Sequence, residues 1–195
     1  MTVTLTDVAG QDIRPHLNTL AELRMTVFRQ FPYLYQGSLD YERRYLETYA
    51  RSAASLFVLA RDGDRVVGAA TGIPMADETE AFRQPFINQG WRPEEIFYFG
   101  ESVLLPEYRG QGIGVGFFDH REAHARSQGF RYAVFCAVVR PEDHPLRPEG
   151  YQPLDRFWQN RGYRPLPELT TEYAWTDIGD QAPTDKPMQF WYREL

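Results

Sequence analysis

Apolar positions change their spacing several times along this chain, and each change marks an element. Val3 and Leu5 alternate with threonines, the two-residue period of a strand. Ile13, Leu17, Leu20, Val27, Phe28 and Phe31 then recur at threes and fours, which predicts an amphipathic helix that Pro32 stops. Ser38, a residue type suited to an N-cap, opens a second helix through Leu39, Leu46, Tyr49 and Ala53. Stretches 56–61 and 65–73 flank Asp62-Gly63-Asp64 and read as a hairpin. Residues 74–95 are polar and broken by Pro85, Gly90 and Pro93, with one helical piece over 78–89. A strand over 97–105, a helix over 112–128 stopped by Gly129, and a buried strand over 132–139 follow. Residues 140–153 hold four prolines and no period. A short helix over 154–161 ends at Gly162, and strands near 172–176 and 189–193 close the chain.

Hairpins mixed with crossovers in this order predict an α/β protein with a mixed central sheet of six or seven strands and helices on both faces. Its 195 residues suit a single domain, 1–195, with an insertion at about 74–95. A chain of that length buries roughly 70% of its unfolded surface and needs no staples. The longest apolar run, Tyr132 to Val139, is eight residues, far below the roughly 20 of a membrane helix. Met1-Thr2-Val3-Thr4 lacks the basic and apolar regions of a secretory leader, and a single cysteine, Cys136, suits a reducing cytoplasm.

Charge narrows the chemistry. The net charge is −6 and no basic run exceeds Arg43-Arg44, so neither nucleic acid nor a membrane is an expected partner. The single lysine, Lys186, lies between Asp185 and Pro187, which excludes a P-loop and places a lone amine in what reads as a polar turn. His120 and His124 stand four apart, but the glutamate between them is misplaced for a zinc motif, so they read as a solvated face and no metal is expected.

One stretch carries chemistry. After the strand at Ser102-Val103-Leu104-Leu105, glycines fall at every second position, Gly110, Gly112, Gly114 and Gly116, and a helix begins. Glycines let amide groups converge, and a helix N-terminus adds about half a positive charge, so the segment can cradle a pyrophosphate. A connection needed only for helix–sheet packing is the other reading. The dinucleotide fingerprint fails in both registers, since its third glycine would fall on Val115 or Phe117.

Arg109-Gly110-Gln111-Gly112-Ile113-Gly114, preceded by Pro106 and Tyr108, resembles motif A of the GNAT acetyltransferase superfamily. The resemblance implies the GNAT fold, acetyl-CoA as co-substrate without a metal, and a small-molecule or peptide amine as acceptor. It also implies that backbone groups of Val103 and Leu104 meet the pantetheine. The pyrophosphate would lie on the segment Arg109, Gly110, Gln111, Gly112, Ile113, Gly114 and Val115, and an N–H near Leu104 would polarise the thioester carbonyl. Phe157 to Tyr163 is similar to motif B, with Trp158 where the family often has a tyrosine that protonates the departing thiolate. Indole cannot do this, which leaves Tyr151, Cys136 or solvent.

The base is a second departure. The position of the family's glutamate holds Tyr98, and the carboxylate on that strand is Glu101. Strand alternation puts the two on opposite faces unless a bulge adds a residue. Glu101 is therefore a general base or a structural carboxylate paired with an arginine. Tyr33 and Tyr35 either wall the acceptor site, as this region does in the family, or staple the first two helices. His144, in the long connection 140–153, is a candidate substrate contact. Arg140, Arg147 and His144 together suggest an acceptor bearing a carboxylate, and the aromatic insertion (Phe82, Phe86, Trp91) suits a pocket wall or a homodimer face. The expected activity is direct N-acetyl transfer; the alternative is a non-catalytic acyl-CoA sensor.

Overall fold

The computed structural model describes residues 3–195, so Met1 and Thr2 of the segment inspected for a leader lie outside it. Its sheet runs β1 (Thr4–Ala9), β2 (Leu56–Asp62), β3 (Arg65–Pro74), β4 (Ile96–Tyr98), β6 (Tyr132–Val138), β8 (Thr184–Glu194) and β7 (Arg164–Trp175), with β5 (Ser102–Leu104) also on β3. Only β4 and β6 are parallel neighbours; the other pairs are antiparallel. The sheet is thus mixed, with eight strands rather than six or seven, because the strand predicted over 97–105 breaks in two at Phe99-Gly100-Glu101. The closing strands are far longer than expected, since Pro165, Pro167 and Pro187 interrupt their alternation in sequence without ending their pairing.

Helices α1 (Leu17–Phe28), α2 (Leu39–Arg51) and α3 (Glu80–Asn88) lie on one face with Leu20, Leu46, Phe57, Ile73, Phe86, Val134 and Phe190. On the other face α4 (Ile113–Ser127) and α5 (Asp155–Asn160) pack with Val58, Phe97, Phe117, Phe118, Phe135 and Trp191. The first predicted helix begins late, because Gly10–His16, containing Pro15, forms a 3-10 segment. The insertion is a structural cover. Phe82 and Phe86 are buried, Phe86 edge-on to Phe190, and Trp91 packs on Tyr132 and Tyr192.

Lys186 is not in a polar turn. It lies on β8, 4% exposed, and donates to the carbonyls of Trp175 and Thr184 and to Thr184 Oγ1. Among the described residues, no helix is long and apolar enough to cross a membrane.

Candidate active site

The break between β4 and β5 creates the site. Between the pairs Ile73–Tyr98 and Ala70–Ser102, β3 supplies two residues and its partner three. That extra residue is a bulge, and it turns Glu101 to the face that Tyr98 occupies. Gly100 is required there, because a Cβ would collide with the Tyr49 hydroxyl and Thr71. Beyond the bulge β6 follows β4 only, so among the described residues one edge of β5 has no strand beside it. The Glu101 carbonyl accepts from Thr71 N and Leu105 N donates to Val67, so alternation directs Ser102 and Leu104 to that free edge.

A buried cation holds the bulge open. Arg121, 1% exposed on α4, donates to the carbonyls of Phe117, Thr71 and Glu101 and to Ser102 Oγ, at 2.8–3.2 Å. Its guanidinium lies 4.2 Å from the Phe99 ring centre, and burial lowers its pKa to about 10, still charged at neutral pH. Both bulge carbonyls also accept a backbone amide, Thr71 O from Gly100 N and Glu101 O from Thr71 N, so Arg121 adds a second bond to each.

On the Glu101 side the chain encloses a cavity of about 490 Å³. Its wall includes Arg24, Phe28, Tyr33, Tyr35, Tyr98, Glu101, Cys136 and Trp175. Arg24 bridges the carboxylates of Glu42 and Glu101 and rests over the Phe28 and Tyr45 rings. Glu101 Oε1 has no partner. Burial raises the Glu101 pKa, against the opposing pull of Arg24. Tyr35 donates to Glu42 at 2.6 Å. Cys136 is 3.0 Å from the Tyr98 hydroxyl, and burial pushes its thiol up to about 12. Behind the wall, Glu78 is 3% exposed with Oε2 unpartnered, and burial raises its pKa to about 7.

The glycine segment follows β5 directly. Gly110 and Gly112 hold φ of +75° and +81°, and a Cβ on either would meet nothing within 4 Å. They are glycines for their backbone conformation, and the space above them is open. The first amides of α4 face that space without intrahelical acceptors. Gly116 has a different reason, since a Cβ there would strike Leu5 on β1. Arg109 folds back, donating to the Leu104 carbonyl at 3.2 Å and to Gln30 at 3.1 Å.

The structure therefore brings together Glu101, Tyr33 and Tyr35 on one cavity, beside the free edge that carries Leu104; Val103 is paired with Ala69, so its backbone groups face β3 and not that edge. Tyr151 and His144 stand apart from that wall: both pack on Phe31, Tyr151 edge-on at 4.7 Å and His144 at 5.7 Å. Of the insertion's aromatics only Phe82 lines the cavity. Arg140 is committed, donating to the carbonyls of Pro32 and Tyr33 and to both oxygens of Asp177. Trp158 packs between Phe135 and Trp191 as core. His120 pairs with Asp7, and His124 Nε2 meets the Ala54 carbonyl.

Sequence reasoning missed Arg24, Glu42 and Arg121. Each is a charge on an otherwise apolar stripe: Arg24 four residues from Leu20 and Phe28, Glu42 between Leu39 and Leu46, Arg121 between Phe117 and Ala125.

The pattern of the acetyltransferase (GNAT) family matches residues 19–148. No curated protein matches the chain. Among solved structures it resembles a ribosomal-protein-alanine N-acetyltransferase from Brucella melitensis, with TM-score 0.63 and 15% identity over 98% of this chain and 99% of that one. An N-acetyltransferase from Staphylococcus aureus gives TM-score 0.63 at 14% identity over 100% and 99%. The Salmonella typhimurium protein yncA, solved with its cofactor acetyl-CoA, gives 0.61 at 12% over 100% and 95%. At these identities the likeness concerns the fold.

Proposed function

The chain belongs to the acetyltransferase (GNAT) family, acyl-CoA-dependent N-acyltransferases, and we propose that it moves an acetyl group from acetyl-CoA directly to the amine of a small molecule or peptide, with Glu101 as base. One observation carries this reading. The bulge sets a buried carboxylate with an unpartnered oxygen on a cavity wall, beside the free edge of β5 and next to the glycine cradle.

The cofactor runs along that edge, its pyrophosphate on the open amides from Arg109 to Val115. The acceptor enters between α1, α2 and the β7–β8 end, walled by Tyr33 and Tyr35. Glu101 Oε1 takes one proton from the incoming ammonium, whose freed lone pair bonds to the thioester carbon, and the nitrogen sheds its second proton to water as the intermediate collapses. Charge gathers on the carbonyl oxygen, which the Leu104 N–H stabilises. The C–S bond breaks as the carbonyl re-forms, and the thiolate takes a proton from water, Cys136 or Tyr151. A thiol pKa of about 8.5 makes that departure feasible without a dedicated acid.

The single reduced Cys136 suits a cytoplasmic setting. A homodimer would use some other surface than the insertion's rings, because Phe82, Phe86 and Trp91 pack within the chain.

Glu101→Gln tests the assignment. It keeps the side chain's shape and removes the proton acceptor, so kcat/KM should fall at least a hundredfold. Wild-type kcat/KM should rise with unit slope at acidic pH and level off above the ordinary glutamate range, in line with the raised Glu101 pKa. That limb should vanish in the variant. A tenfold or smaller loss with the limb intact assigns the titration to another group.

A further inference from the structure

Building on the acetyl-transfer reading, we propose that the acceptor is a primary amine on an aromatic or similarly apolar body, with no carboxylate beside the amine. The cavity that receives it is walled mainly by rings, among them Phe28, Tyr33, Tyr45, Phe82, Tyr98 and Trp175. At its base Glu101 shares one guanidinium, that of Arg24, with Glu42, which is fully buried behind the wall.

Charge decides what fits next to that base. Arg24 is occupied through Nε by Glu42 and through a terminal nitrogen by Glu101. An α-carboxylate would lie within one carbon of the amine, so it would be pressed against an anionic cluster in which Arg24 is already engaged by both glutamates. Burying a carboxylate without a partner is strongly unfavourable. The other basic groups do not change this. Arg140 is bound to Asp177 and two carbonyls, and Lys186 to Trp175 and Thr184. Arg44 also lines the cavity, but it is exposed, so a pair formed with it would be screened by solvent and would not offset the burial of a carboxylate beside Glu101. The carboxylate-bearing acceptor suggested by Arg140, Arg147 and His144 is therefore replaced.

The same cluster attracts an incoming ammonium, and ring faces favour both a cation and an apolar body. A polyamine would gain at the carboxylates but leave the aromatic wall facing a second charge. An aromatic amine satisfies both regions.

The test uses wild-type protein, acetyl-CoA and four probes: 2-phenylethylamine, phenylalanine amide, phenylalanine and spermidine, with release of free thiol as readout. The first two should exceed phenylalanine at least a hundredfold in kcat/KM, and 2-phenylethylamine should exceed spermidine at least tenfold. Parity of phenylalanine with its amide, or preference for spermidine, overturns the proposal. Calorimetry of each probe with the protein–CoA complex gives a second readout. There 2-phenylethylamine should bind at least tenfold more tightly than phenylalanine, and absence of its binding also overturns the proposal. In Glu42→Gln the discrimination against phenylalanine should shrink at least tenfold; an unchanged ratio removes the charge argument. If acetyl-CoA itself fails to stabilise the protein against heat, the acetyl-transfer reading fails instead, which the acceptor ratios do not report.

Discussion

Glu78 shows how a single side chain can link stability to the site. Its carboxyl is buried behind the cavity wall, and burial moves its pKa from 4.5 to about 7. Between those values the folded chain binds more protons at this position than the unfolded chain does. Its contribution is therefore most favourable below pH 4.5 and is lost as pH rises toward 7, by about 3 kcal/mol. Glu101 shifts in the same direction, so the clean measurement is a difference. Denaturant unfolding of wild type and Glu78→Gln at pH 5 and pH 8 should show the variant gaining about 3 kcal/mol relative to wild type at the higher pH. Equal differences at the two pH values would mean that Glu78 titrates normally. Glutamine keeps the shape, and the cost of its own unpartnered amide does not vary with pH.

Three local devices act together at the level of elements. A bulge at Gly100 reverses strand parity, Arg121 ties the carbonyls on its two sides together with a second bond to each, and two left-handed glycines lead the chain from β5 into α4. Gly112 at φ +81° tests the last of these. Gly112→Ala forces a Cβ into a conformation costing about 1–2 kcal/mol but adds no charge. Gly112→Asp adds a carboxylate where the pyrophosphate is proposed to lie. Acetyl-CoA at 100 times its Kd should stabilise wild type by about 2.7 kcal/mol, roughly 5–10 °C in Tm. The alanine variant should keep part of that shift and the aspartate variant none. A full shift in Gly112→Asp would move the cofactor elsewhere.

At the scale of the whole molecule, one ionic junction ties the cavity wall to the far end of the sheet. Asp177 receives Arg140 at 2.8 and 2.9 Å and stands 3.4 Å from Lys186, while Tyr35 bridges to Asp177 and Ile178 N donates to Leu34. The loop carrying Tyr33 and Tyr35 is thereby pinned to the β7–β8 turn. Asp177→Ala strands two buried cations, which costs about 3–5 kcal/mol, so Tm should drop by roughly 6–20 °C. KM for the acceptor should rise while the acetyl-CoA shift persists, because the cradle lies on other elements; equal loss of both would mean a global collapse instead. The junction brings Leu34 and Tyr35 to Asp177 and Ile178, far apart in the chain, and left no trace in the periodicity. Excising 76–92 would likewise strip Phe86 from the core, so that stretch is as much cover as wall. The sequence by itself determined what depends on near neighbours: the helices and hairpin from apolar spacing, the break at Gly129, and the glycine cradle from glycines two apart next to a strand. It also singled out Glu101 as the candidate base, because it is the one carboxylate on the strand predicted over 97–105. Only the tertiary structure decided the rest. Whether Glu101 faces the cavity depends on a one-residue bulge set by β3 and Arg121, and which arginines can read a substrate depends on distant carboxylates. Charge pairing and register are settled by partners far along the chain, and a linear pattern records the residue but not its partner.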